Sequence, residues 1–570
     1  MSDTKPAELA VAESPAAEPT TDASRLPAWP IAIVLFVITA LVLLKDLGTR
    51  PGYAYNWEAF PLRDAFLRWE GDPGIWFRLT NGLMTTSGQT WFFSAPVALV
   101  WEIFGVGLTA LRVPSALVSA AIVPLTWFAG RRLVGERAAL LAAGFVMLNS
   151  AFYFYGRTGT SVGESLAPML GIVILLDVLL RLPRRWALWL AGLQVALIVA
   201  TYGYAPLRFL YPIAVALLLV QAALDRARWK QFLVMAGVTA FVLPIFVASI
   251  DDLDSRNPRE VLRGFYHARG EQVLTLREDI ANQRAADPEA FAGEPNPVRE
   301  QIETNVRNLG DLLLDRERVT PITDYWNPGG RLYASALVPW AILGAAVALL
   351  RVFRSAPARL LHAGLWGFTL PILLTNNVHV GRLVFVIPFL ALAAGLGVVT
   401  FAETAARVVR DERHRARVRI ALTAALGIVV LVLAGRSWYA DVSVPYTRDL
   451  PERVDVAMRE AAALGRPGVI YVSGYDQEAA ELEVSAARVL LVDTFQFVRV
   501  WTDDVADPSD PRQPLYFGAA VMERMATGVA PGDCDMVWIV LPPRQAEFDE
   551  AAGALTDRCG GPVEIVFIPD

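Results

Sequence analysis

The chain has 570 residues, 54% hydrophobic and only 19% charged, with a formal net charge of -6. Soluble globular chains carry about 25% charged residues, so this apolar excess calls for lipid as a second solvent. The acidic balance excludes the basic face that nucleic-acid recognition needs, and two cysteines exclude a disulfide scaffold, a cysteine zinc cluster and an iron–sulfur protein.

Residues 1–28 are rich in Ala, Pro, Glu, Ser and Thr and cannot bury enough apolar surface to offset ordering entropy, which predicts a disordered tail. An apolar run over 30–44 follows Arg25 without a small-residue cleavage site after it, so it reads as a retained membrane helix. Further runs of about 15 to 20 residues, the length that crosses a hydrocarbon core, lie at 111–129, 138–154, 166–180, 186–200, 207–224, 232–250, 334–350, 360–374, 383–401 and 420–434. Eleven spans put the two termini on opposite sides of the membrane.

Charge sets the orientation. The loops around Arg131, Arg181, Arg226 and Arg351 carry three cations each, and the one from Arg407 to Arg419 carries six. The short connections on the other side carry one each, Arg157, Arg208 and Arg382. By the positive-inside rule the N-terminus is cytoplasmic and the C-terminus extracytoplasmic in a multi-pass plasma-membrane protein.

The organisation that follows is a cytoplasmic tail over 1–28, a transmembrane domain over 29–435 with outer loops at 48–93 and 251–333, and an extracytoplasmic domain over 436–570. Runs at 261–278 and 298–314 have helical spacing with mixed charge and predict amphipathic helices on the membrane face, the plainer reading being a solvated cap. In the last domain, short β-branched runs at 469–472, 489–492, 537–541 and 563–568 alternate with helical spacing at 453–464, 477–487 and 519–525, which predicts an α/β layer. No phosphate-binding glycine motif follows these strands. Cys534 and Cys559 are expected to form a bracing disulfide, the alternative being two buried small apolar side chains.

Ionisable groups near hydrocarbon are costly, so their positions are informative. Glu58, within the aromatic stretch 53–60, would gain proton affinity by partial desolvation and suits a general base; a surface carboxylate beside Arg63 is the plainer alternative. Arg157 ends the third span, Arg208 opens the sixth just after Tyr204, and Arg382 opens the tenth just after His379. Three guanidinium forks at one depth suit a lipid phosphate, whereas separately each could snorkel to headgroups. Glu164, ahead of the fourth span, should face protein or water and could pair with one of these arginines. Asp251, Asp252 and Asp254 could hold a divalent cation, although a solvated helix end is favoured, so the cofactor stays unassigned.

These residues resemble the membrane glycosyltransferases of the GT-C fold, family 39 type, related to protein O-mannosyltransferases and to the aminoarabinose transferase of lipid A. The likeness is carried by Phe104-Gly105, Ala110 to Leu117, Arg131-Arg132-Leu133-Val134-Gly135, Ala138 to Ala143 and Gly156-Arg157, with Tyr202, Tyr204, Arg208 and Pro212 further on. The resemblance implies a polyprenyl-phosphate sugar donor, a protein, lipid or glycan acceptor, and a hexosyl or pentosyl transfer on the outer face. It places the base at Glu58, where Trp57-Glu58 stands in for the family's tandem acidic pair. The substrate-binding positions are then Arg157, Glu164, Tyr204, Arg208, His379 and Arg382, and a single positioned carboxylate predicts inversion at the anomeric carbon. A transporter or flippase of lipid-linked glycans is the runner-up; it would use the same arginines without a base. An inert membrane scaffold is the third reading.

Overall fold

The computed structural model describes residues 28–47, 91–105, 108–201, 207, 209–251, 297–314, 332–373, 380–443, 468–472, 498–502, 537–541, 556, 560–561 and 565–567. These residues are mostly helical. Long apolar runs with few glycines or prolines leave backbone groups no partner but their own helix, which in lipid makes the helix obligatory.

The helices are α1 (Ala28–Leu44), α2 (Trp91–Phe104), α3 (Leu108–Ala120), α4 (Ile122–Leu133), α5 (Glu136–Met147), α6 (Ser150–Arg157), α7 (Ser161–Glu164), α8 (Leu166–Leu180), α9 (Trp186–Thr201), α10 (Leu210–Leu224) and α11 (Trp229–Asp251). After the second outer segment come α12 (Pro297–Leu314), α13 (Val338–Leu349), α14 (Ala356–Leu373), α15 (Val380–Leu383), α16 (Ile387–Ala406) and α17 (Glu412–Ser443). Among the described residues, four helical stretches are long and apolar enough to cross a bilayer: Thr109–Leu133, Val162–Leu180, Gly381–Ala406 and Glu412–Val442. The α5–α6 pair makes a fifth if its 63° bend is counted as one broken span.

Two differences from the sequence expectation have local causes. The run at 138–154 is not one helix: Asn149 interrupts it, its side chain accepting from the Phe152 amide at 2.8 Å and so capping a new helix, α6. The outer-loop boundary at 93 falls inside α2, an apolar helix that carries Pro96 and that the sequence reading did not predict.

The bundle is organised around α16, which packs closely against α13, α5 and α17. Glycine allows the approach. A methyl on Gly344 of α13 would overlap the Ala393 carbonyl of α16, one on Gly397 would overlap the Trp340 carbonyl, and one on Gly395 would overlap the Ala138 carbonyl of α5. Helices in lipid gain little from hiding apolar surface from one another, so close backbone contact between small residues supplies the packing. The outward faces are apolar as well, with Trp29, Leu41, Phe104, Val195 and Val432 exposed. That is the expected surface of a lipid-embedded bundle rather than of a water-soluble one.

The two ends of the bundle differ chemically. At one end Asp177 of α8, 1% exposed, holds Arg132 of α4 at 2.5 Å and Arg181 at 2.9 Å, tying two helix C-termini together. Arg112 lies 20 residues before Arg132 along α3–α4, about 30 Å at 1.5 Å per residue and close to a hydrocarbon thickness. Arg112 therefore marks the opposite end.

The C-terminal segment contributes four parallel strands, β1 (Gly468–Val472), β2 (Val498–Thr502), β3 (Val537–Leu541) and β4 (Ile565–Phe567), in the order β2-β1-β3-β4. Three of the four expected strands coincide with these. The expected strand at 489–492 lies outside the described residues; β2, which was not expected, runs over Val-Arg-Val-Trp-Thr at one edge of the described sheet. This is an edge strand, and edges favour alternating, charge-bearing sequences over continuous apolar ones. Parallel neighbours need crossovers of about a dozen residues or more, and the connections at 473–497, 503–536 and 542–564 are all long enough. The helices expected there, and both cysteines, lie outside the described residues.

Candidate active site at the arginine-lined end of the bundle

The site is built on α3, whose polar positions Arg112, Ser115 and Ser119 recur at helical spacing and are all fully buried. That stripe packs on α6 and α7, and α6 in turn touches α1, α15 and α17. Arg157, the last residue of α6, is 2% exposed. Its Nη1 donates to the Tyr153 hydroxyl one turn earlier, its guanidinium lies 4.8 Å from the centre of the Tyr153 ring, and its Nη2 donates to the Asp46 carbonyl at 2.9 Å. Tyr153 is itself braced edge-on by Trp438 of α17, ring centres 5.4 Å apart.

Beyond Arg157 the chain turns through Thr158 and Thr160, both fully buried. Their hydroxyls meet at 3.3 Å, and the Ser115 hydroxyl points to the Thr160 carbonyl at 3.5 Å. Gly163 makes the turn possible, since a methyl there would collide with the Tyr155 carbonyl. Glu164 ends α7, half-buried, with the Ser115 hydroxyl as a hydrogen-bond partner. A carboxylate and two guanidinium groups thus share one end of an apolar bundle, a costly arrangement in lipid that ordinarily marks a functional site.

Other side chains hold the segment ends around this cluster. Asn149 donates to the Leu332 carbonyl at 2.9 Å, where the chain returns from the second outer segment, and Tyr333 beside it is buried. Burial lifts the Tyr333 phenol well above its ordinary pKa, so it stays protonated. From α12, buried Asn305 donates to the Leu373 carbonyl at 3.0 Å, where α14 ends and the residues before Arg382 begin.

Of the residues singled out in the sequence, Arg157 and Glu164 fall in this cluster. Arg382 is half-buried on α15, which packs against α6. Glu58, Tyr204, Arg208 and His379 lie outside the described residues, as do Asp252 and Asp254. No metal-binding group of acidic, histidine or cysteine side chains occurs among the described residues. Sequence reasoning passed over Arg112, Ser115 and Asp46. The first two could have been found from the polar i, i+3 spacing inside an apolar run. The part of Asp46 is played by its carbonyl, which no side-chain pattern reports.

No family model and no curated protein matches the chain. Solved structures do resemble it. The oligosaccharyltransferase of Archaeoglobus fulgidus in the apo form aligns with TM-score 0.51 and 12% identity over 80% of this chain and 64% of that one. The oligosaccharyltransferase AglB of the same archaeon, in complex with an inhibitory peptide and a dolichol-phosphate, gives the same values. ArnT from Cupriavidus metallidurans in the apo state gives TM-score 0.50 and 13% identity over 88% of this chain and 92% of that one. The chain thus spans somewhat less than two thirds of the archaeal enzyme and nearly all of ArnT. At these identities the likeness speaks for architecture. The chain has the GT-C fold, the one its sequence resembles.

Proposed function

We propose that the protein is an integral-membrane glycosyltransferase that moves a sugar from a polyprenyl-phosphate donor to an acceptor hydroxyl on the extracytoplasmic face. The observation that carries this reading is the Arg112–Arg157–Glu164 cluster, its two arginines buried, at one end of an apolar bundle and next to the helix that bears Arg382. Its support from comparison is the fold shared with an oligosaccharyltransferase solved with a dolichol-phosphate. Nucleotide sugars are made inside the cell, so a site on the outer face needs a donor carried across on lipid.

In this mechanism the acceptor oxygen attacks the anomeric carbon, the bond from that carbon to the phosphate oxygen breaks, and the polyprenyl phosphate leaves with the electron pair. Glu58 takes the hydroxyl proton, and the anomeric centre inverts. Arg382 and Arg208 meet the phosphate, with Tyr204 and His379 lining the donor site. Arg157, whose two terminal nitrogens are engaged by Tyr153 and Asp46, adds its charge from behind or exchanges one partner for the phosphate. Glu164, beside Ser115, is a further substrate-binding position. Eleven spans, a cytoplasmic tail and an outer α/β domain over 436–570 complete the topology, with the sheet as the core of that domain.

The test is Glu58→Gln, introduced into cells that lack the native copy. Mass spectrometry of their lipids and glycans should reveal an accumulated polyprenyl-phosphate sugar and a product missing the same sugar. Wild-type product from that variant overturns the assignment of the base.

A further inference from the structure

Helix α1 ends in a turn that costs conformational energy. Asp46 sits at φ +54°, a left-handed conformation that a non-glycine residue adopts with some strain, and the last carbonyls of the helix have no partner within it. The two guanidinium groups of the buried cluster meet that end. Arg157 donates to the Asp46 carbonyl at 2.9 Å, and Arg112 donates to the Leu47 carbonyl at 3.0 Å. Both arginines are buried, at 2% and 0% exposure, and Leu47 is buried beside them. Cations at a helix C-terminus are favoured by the helix dipole, and charge-assisted bonds gain strength where water is excluded.

Arg112 and Arg157 come from different helices and converge on consecutive carbonyls. Two donors on neighbouring acceptors fix direction as well as position, which a single bond does not. Leu47 is the last described residue before 48–90, and Glu58 follows it by 11 positions. A base must lie within hydrogen-bond reach of the proton it takes, and a misplacement of about 1 Å can cost about a hundredfold in rate.

We infer that Arg112 is a positioning residue for the transfer: with Arg157 it clamps the Asp46 and Leu47 carbonyls, in the turn that follows α1, and so sets where the segment bearing Glu58 begins. In this role Arg112 acts through the backbone, by its bond to the Leu47 carbonyl. The inference rests on the reading of Glu58 given above, so its test has an arm that does not involve transfer.

The full-length protein, reconstituted in lipid nanodiscs, is compared as wild type, Arg112→Met and Arg112→Lys. Hydrogen–deuterium exchange is followed over residues 44–60, binding of undecaprenyl phosphate is measured directly, and accumulated lipid-linked sugar is quantified in cells carrying each variant. Arg112→Met should speed exchange by about tenfold or more at 45–47 and the residues that follow. It should leave affinity for undecaprenyl phosphate within about threefold and cause the lipid-linked sugar to accumulate. Arg112→Lys, which keeps the charge and one donor, should fall between. If Arg112→Met does not fold, Arg112→Lys against wild type supplies the same comparison.

Unchanged exchange overturns the clamp. Faster exchange with wild-type product overturns its link to transfer, and a collapse of undecaprenyl phosphate binding makes Arg112 a ligand instead. If Glu58→Gln also yields wild-type product, the reading of Glu58 has failed, while the exchange result still judges the clamp.

Discussion

Removing both arginines that hold Asp177 should harm the protein more than removing Asp177 itself. Asp177 is 1% exposed, whereas the side chains of Arg132 and Arg181 are 39% and 52% exposed. In Asp177→Ala the two guanidinium groups are left without their carboxylate, but they already reach solvent or headgroups and can rehydrate, so the loss is about 2 kcal/mol, between an exposed and a buried pair. In Arg132→Met or Arg181→Met the carboxylate keeps one partner, at a loss of about 1 kcal/mol each. In the double variant a buried carboxylate has neither, and the cost rises to about 3 to 5 kcal/mol. The two arginine substitutions should therefore be non-additive by about 1 to 3 kcal/mol. Thermal unfolding in a mild detergent, or a denaturant titration where unfolding is reversible, gives the four values. A double variant equal to the sum of its singles, or more stable than Asp177→Ala, refutes the account of this cluster.

Gly344→Ala places a methyl against the Ala393 carbonyl, where backbone faces backbone and no side chain can give way. It should destabilise by about 1 to 3 kcal/mol or more through forced separation of α13 and α16, read as a lowered unfolding midpoint; an unchanged midpoint would show that the two helices part freely. Arg157→Lys can satisfy either Tyr153 or Asp46 but not both, and should lower stability by about 1 to 3 kcal/mol. Arg157→Met should in addition weaken undecaprenyl phosphate binding relative to Arg157→Lys. Equal binding by the two variants removes the phosphate from the roles of Arg157.

The charged groups are easier to read from sequence as types than as partners. Arg157 and Arg382 stood out because a cation next to an apolar run is costly, and the structure places α6 and α15 side by side. Arg112 is just as costly but was absorbed into the span at 111–129, where one arginine at the edge of a run looks like an ordinary helix end. Its significance depends on the Leu47 carbonyl, 65 positions away in the chain. The bend at Asn149 was hidden for a related reason: one asparagine in an apolar run is compatible with a continuous helix, and only its contacts with Phe152 and Leu332 break that helix.

The sequence by itself determined that this chain lives in lipid, roughly where most of its described apolar helices lie, and that its last segment holds short strands, because each of these follows from composition and local period. Only the tertiary structure decided which polar groups meet. Hydrogen-bond partners in a helical bundle come from distant helices, and close crossings at Gly344 and Gly397 select those neighbours through backbone shape, a property that no local pattern of side chains encodes.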